Sequence, residues 1–142
     1  MVRTLDVVGE KWSLLIVRNA LRGQTRFSEF RDSLGIPTDV LSARLATLVE
    51  AGVLDKEPYR EPGRRERFAY RLTPAGEGLR LVLAAMIQWG DSFNPGPTGP
   101  GSAIVDPSDR VPLEVAFIGT DGRSRTVGQA SIVPGSAATV SW

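Results

Sequence analysis

The sequence predicts a mainly α fold with a β-hairpin and a small C-terminal β segment. Three observations lead there. Apolar residues recur at helical spacing, in blocks with recognisable start and stop signals, through most of the first 91 residues. Phe68, Tyr70 and Leu72 alternate with Arg67, Ala69 and Arg71, the period of a strand with one buried face. Near Asp91 the composition changes: Asn94-Pro-Gly-Pro-Thr-Gly-Pro-Gly-Ser102 is a run of helix breakers, and period-two alternation follows it.

Leu5 to Val8, then Trp12, Leu15, Ile16 and Ala20, keep one helical face, and Gly9 divides this stretch into two helices or kinks one. Gly23 fits a C-terminal stop. Thr25 is placed to cap a short helix over 26–34, where Phe27, Phe30 and Leu34 share a face. Gly35-Ile36-Pro37 is a tight turn, and Thr38 is placed to cap a third helix over 39–51 that buries Leu41, Leu45 and Leu48 and ends at Gly52. Strands over 53–59 and 67–72 enclose the turn Arg60-Glu-Pro-Gly-Arg-Arg-Glu66. Thr73 then caps a last helix with Pro74 in its first position, running to about Asp91. Short helix, tight turn, capped helix and hairpin, in that order, make a winged helix-turn-helix, with the hairpin as the wing. The expected organisation is a DNA-binding and dimerisation domain over 1–91, a Pro/Gly-rich linker over 92–110 and a small β extension over 111–142.

Apolar residues make up 42% of the 142 residues, enough for a core, and no run of eighteen apolar residues suits a membrane span. The first six residues lack the basic and apolar segments of a secretory signal, so a cytoplasmic location is expected, away from membranes. The chain has no Cys and no His, which removes disulfides, thiolate chemistry, most zinc sites and the usual general base. No carboxylate pair has a suggestive spacing, and the Gly-rich stretches match no phosphate-binding fingerprint. No enzyme activity, cofactor or metal is expected. The net charge of +1 says little, but Arg60, Arg64, Arg65 and Arg67 are clustered at one turn, and Arg offers a planar fork suited to phosphates and base edges.

The second helix of the pair can enter a major groove with its first turn leading, while the hairpin sets cations near the backbone. Subtracting the buried Leu residues leaves Thr38, Asp39, Ser42, Ala43, Arg44, Ala46 and Thr47 outward. Ser42, Ala43 and Arg44 are candidate groove contacts, and Thr38 is a candidate phosphate contact as well as a cap. Asp39 suits the helix N-terminus and would repel a phosphate. Arg64, Arg65 and Arg67 are candidate backbone contacts, as is Arg26 at the start of the preceding helix. The last helix is apolar on more than one side, so something beyond its own core must cover it. Either a second copy related by a two-fold axis does so, through Leu5, Val8, Leu79, Val82, Leu83, Met86 and Trp89, or the C-terminal strands do.

Gly9-Glu-Lys-Trp-Ser-Leu-Leu-Ile-Val-Arg18 resembles the "GGKW-[ST]-LLIL-R" signature of HxlR-type regulators. Arg26-Phe-Ser-Glu-Phe30 is similar to their "RF-x-EL" helix, and Ile36-Pro-Thr-Asp-Val-Leu-Ser-Ala-Arg-Leu45 to their "IS-x-x-VL-[ST]-x-RL" recognition helix. Glu50-Ala-Gly-Val-Leu54 and Tyr70-Arg-Leu-Thr-Pro-Ala-Gly76 resemble "E-x-DGL" and "Y-x-LT-x-x-G". The resemblance runs from Leu5 to about Asp91. It implies a dimeric regulator joined through its first and last helices, reading double-stranded DNA with the helix that carries Ser42 and Arg44. A symmetric dimer implies an inverted-repeat operator. Some members sense oxidants through a Cys near the start, and this chain has none. The family often has a basic residue where Asp39 stands.

In the C-terminal segment, Val111, Leu113, Val115 and Phe117 alternate with Pro112, Glu114, Ala116 and Ile118, and Asp121-Gly122 suits a hairpin turn. A return strand over 125–133 and a third over 137–142 are expected. So short a sheet rarely folds alone, so it is expected to dock on the winged domain or on a partner, as a brace or as part of a pocket for a small-molecule effector of unknown identity. An alternative function is a protein–protein interaction module that uses the winged fold and the C-terminal strands. The wing Arg residues favour DNA.

Overall fold

The computed structural model describes residues 1–63, 65–97, 99, 101–133 and 135. Five helices carry the first part of the chain: α1 (Val2–Val8), α2 (Lys11–Leu21), α3 (Phe27–Leu34), α4 (Thr38–Glu50) and α5 (Pro74–Phe93). Strands β1 (Leu54–Tyr59) and β2 (Arg67–Leu72) form the antiparallel hairpin between α4 and α5, paired Leu54 with Leu72 through Tyr59 with Arg67. The expected order of elements is present. Gly9 separates two helices, and Gly35 closes α3 at φ 60°, a left-handed conformation that a residue without Cβ adopts freely.

The core is built where the helical spacing places it. Ile16 and Val17 of α2, Phe30 of α3 and Leu41, Leu45 and Leu48 of α4 are all at most 1% exposed. Ile36 fills the turn between α3 and α4, and Val53 and Leu54 extend the same cluster to the hairpin root. The turn is thereby anchored by an apolar side chain rather than by its backbone alone.

Three local expectations are corrected. Thr25 does not cap α3: the cap residue is Arg26, and the Glu29 carboxylate reaches back to accept from the backbone N–H groups of Thr25 and Arg26 at 2.8 and 2.9 Å. Thr38 is the first residue of α4 rather than its cap, because Pro37 takes the flanking extended position. The face assigned to β2 holds only in part: Tyr70 and Leu72 pack against the core as expected, but Phe68 is 39% exposed and Ala69 is buried. β2 pairs with β1 on one edge and is bridged at Ala69 by Arg26 on the other, with Tyr70 N–H donating to the Thr25 carbonyl at 2.7 Å. Thr73, by contrast, caps α5 as expected, its hydroxyl accepting from Gly76 N–H at 3.1 Å.

Gly76 is buried in the first turn of α5, where a Cβ would run into the Val53 carbonyl and the Leu72 side chain. The Val53 backbone cannot yield without moving the hairpin root. Gly76→Ala is expected to destabilise the protein by about 2–3 kcal/mol through overpacking, checked by chemical denaturation. A change within about 0.5 kcal/mol, the size of an ordinary surface substitution, would contradict that close approach.

After α5 the chain turns back. Asp106 N–H donates to the Val111 carbonyl and Leu113 N–H to the Ile104 carbonyl, both at 2.9 Å, so 102–113 is a small hairpin rather than an extended linker. The Gln88 side-chain amide clasps the backbone of Val115, donating to its carbonyl at 3.1 Å and accepting from its N–H at 2.8 Å. This clasp satisfies an isolated strand edge with a side chain of α5, and it docks the segment on the winged domain. The expected strand over 111–118 is reduced to β3 (Phe117–Ile118), which pairs with β4 (Ser124–Arg125) around the Asp121-Gly122 turn. Val127–Gln129 is a 3₁₀ turn where a return strand was expected. The third strand expected over 137–142 lies outside the described residues.

Candidate nucleic-acid interface

With Leu41, Leu45 and Leu48 turned inward, α4 leaves Thr38, Asp39, Ser42, Ala43 and Ala46 exposed, and Arg44 and Thr47 half-buried. The Ser42 hydroxyl donates to the Thr38 carbonyl at 2.8 Å, and Thr47 to the Ala43 carbonyl at 3.0 Å. Each hydroxyl proton is therefore occupied within the helix, so Ser42 faces outward as an acceptor, suited to an exocyclic amino group of adenine or cytosine. Asp39 sits in the first turn, where its charge opposes the positive end of the helix dipole. No ion pair engages Arg44 among the described residues.

The hairpin cations divide into two groups. Arg71 pairs with Glu57 at 2.8 Å within the strands. Arg26 pairs with Glu61 at 3.1 Å and lies over the Tyr59 ring at 5.2 Å, which ties the start of α3 to the wing. Arg65 and Arg67 are exposed, with no ion pair among the described residues. Arg64 lies outside the described residues. Arg67 also borders a groove of about 480 Å³ between α3 and the hairpin, whose floor includes Phe27 and Phe68. Arg26 thus serves the turn end of the hairpin first, whereas Arg65 and Arg67, without ion pairs among the described residues, can offer their forks to phosphate oxygens.

Lys56, Tyr59 and Glu61 escaped the sequence reading. Lys56 holds its ammonium 4.0 Å from the exposed Phe68 ring, adding a cation to the wing face. The signal was available in the pairing register, which sets Lys56 opposite Tyr70 and Pro58 opposite Phe68.

At the start of α3, two backbone hydrogen bonds, from Arg26 first and then Thr25, hold the Glu29 carboxyl below the usual carboxylate range. A depressed carboxylate contributes stability above its unfolded pKa and loses it as pH falls through the folded value. Glu29→Ala is expected to cost about 1 kcal/mol at neutral pH, the usual worth of an N-terminal cap. That cost should vanish once acid protonates Glu29 in the parent. A pH-independent difference in thermal unfolding would contradict the cap.

On α5, Gly76 and Ala84 are buried, and Leu79 and Leu83 pack against the protomer's own core. Val8 is only 4% exposed and belongs to that core too, so these three members of the expected dimer surface are covered within one chain. Leu5, Val82, Met86 and Trp89 remain exposed, joined by Leu81 and by Phe93, whose ring lies 5.9 Å from that of Trp89. Among the described residues, the C-terminal segment covers the flank around Gln88, borders the stripe with Val115 and Phe117, and leaves its side chains exposed.

Among the described residues, no group of His, Cys, Asp and Glu side chains is placed to hold a metal, and no helix is long and apolar enough to cross a membrane.

A family model for HxlR-like helix-turn-helix proteins matches residues 7–96. An HTH-type transcriptional regulator of Mycobacterium tuberculosis is 47% identical over 98 residues, covering 69% of this chain and 61% of that protein. The chain therefore spans about three fifths of the length of the curated relatives it matches first. The crystal structure of PA1607, described as a candidate transcription factor, superposes with a TM-score of 0.80 at 35% identity, over 94% of this chain and 92% of that one. PA1374 of Pseudomonas aeruginosa, described in the same way, gives 0.70 at 38% identity over 96% and 92%. Matches this extensive take in the segment after α5, which the sequence resemblance over 5–91 did not reach.

Proposed function

Because this chain belongs to the HxlR-like helix-turn-helix family, we propose that it is a homodimeric, sequence-specific DNA-binding transcriptional regulator of the cytoplasm. The observation that carries this reading is the division among the hairpin cations. Two arginines are neutralised by Glu57 and Glu61, while Arg65 and Arg67 stand exposed beside a helix with a polar outer face. Cations without ion pairs among the described residues, close together at one end of the hairpin, suit a polyanion whose counterions they can displace. In the proposed complex α4 enters the major groove, Thr38 approaches a phosphate, Ser42, Ala43 and Arg44 meet base edges, and Arg65 and Arg67, with Arg64, hold the backbone. The exposed stripe of α5, with Leu5, supplies the two-fold contact that sets two copies of α4 on an inverted repeat.

Incubating the protein with sheared genomic DNA near physiological salt tests the reading. A small set of fragments sharing an inverted repeat is expected to be retained. Retention of all fragments alike, or of none, would instead favour a protein-binding role for the winged fold and its C-terminal strands.

A further inference from the structure

Between α2, α5 and the 102–113 hairpin lies a cleft of about 530 Å³, within the range of small-molecule sites. We propose that it binds an apolar organic anion. Its polar groups have one sign: Arg18 and Arg22 from the end of α2 and Arg80 from α5 line it, and no carboxylate does. Glu77 engages Arg80 from the preceding turn, and Arg18 donates one N–H to the Asn19 side chain at 3.0 Å. The Arg22 guanidinium has no such partner among the described residues. Among the described residues three guanidiniums therefore share one carboxylate, and an incoming carboxylate would meet planar forks suited to bidentate bonds. The body of the ligand is specified by the remaining walls, where Leu21, Leu83, Ile87 and Ile104 are half-buried around the gap. The wall formed by 102–113 is fixed in place by its hairpin bonds and by the Gln88 clasp on Val115.

The same arginine leads toward the DNA-facing half. Asn19, 4% exposed, carries the bond from Arg18 and donates in turn to Gln24 at 3.1 Å and to Ser33 of α3 at 2.9 Å. A carboxylate drawing Arg18 toward the cleft would disturb the contact that seats α3, the first helix of the helix-turn-helix pair. The cleft as a binding site stands without DNA; only its use as an effector site rests on the proposed function.

Calorimetric titration of the full chain with 2-naphthoate, and with its neutral amide, tests the site directly. Saturable binding of one 2-naphthoate per protomer is expected, with the amide about tenfold or more weaker, since bonds to a charged group are the stronger ones. Arg22→Ala, at an exposed position, should weaken 2-naphthoate binding by a similar factor, and Ile104→Trp should abolish it by filling the cleft, in proteins that melt as the parent does. Absence of saturable binding, equal binding of acid and amide, or full binding by both variants would overturn the site. Saturating 2-naphthoate should also change affinity for retained DNA about fivefold or more. Unchanged DNA affinity with intact 2-naphthoate binding would overturn the link through Asn19 alone, and failure of DNA binding altogether would leave the calorimetry standing.

Discussion

Replacing Arg65 and Arg67 with Ala is expected to weaken binding to every DNA sequence alike, whereas Arg44→Ala should weaken binding to the operator far more than to scrambled duplex. The difference comes from what each side chain can reach. Arg65 and Arg67 are exposed on the hairpin without ion-pair partners among the described residues and are suited to phosphates, which carry no sequence. A dimer losing both loses four phosphate contacts, so the plot of log affinity against log salt should become shallower by about 3.6 units, at about 0.9 per contact. Arg44 lies nearly two turns beyond the first residue of α4, half-buried beside its outward face, where a bidentate contact to a guanine edge is worth about 1–3 kcal/mol per half-site. Titrating both duplexes at two salt concentrations separates the classes. Wing variants that bind as the parent does would remove the hairpin from the interface, and an Arg44 variant that weakens both duplexes equally would make it a backbone clamp.

Met86→Glu and Trp89→Glu are expected to convert a dimer into a folded monomer. Met86 is 50% and Trp89 61% exposed within the protomer, so a charge at either position costs the fold little. Across a two-fold axis the same charge meets an apolar surface and its own copy, with no cation to pair it, and leaving such a charge buried costs about 3–5 kcal/mol. That loss weakens self-association by more than about a hundredfold. Sedimentation velocity should give a dimer for the parent and a monomer of unchanged helical content for each variant. A compact parent monomer at micromolar concentration would contradict the account.

Much of the winged domain was legible in the sequence because its signals are local. The spacing of Leu41, Leu45 and Leu48 identifies the buried side of α4, and Thr73-Pro74 marks the start of α5 by capping chemistry alone. The features that were not legible depend on partners distant in the chain. Ala69 is buried where Arg26 bridges β2, a neighbour that period-two alternation within β2 does not reveal. Arg26 resembles a free cation until Glu61 and Tyr59 are brought beside it. Val8 reads as part of an outward apolar stripe, yet the close succession of α1 and α2 turns it into the core. The segment after α5 was the least legible. Its Pro/Gly run suggests a linker over 92–110, whereas 102–113 forms a hairpin; docking of the extension was expected, but neither Gln88 nor Val115 signals the other in sequence.

Footprinting by hydroxyl radicals on a retained genomic fragment tests the central claim most directly. Two copies of α4 related by a two-fold axis should protect two half-sites of an inverted repeat, centred about one helical turn, roughly 34 Å, apart on one face of the duplex. A single unsymmetrical patch, or protection spread evenly along the fragment, would contradict it.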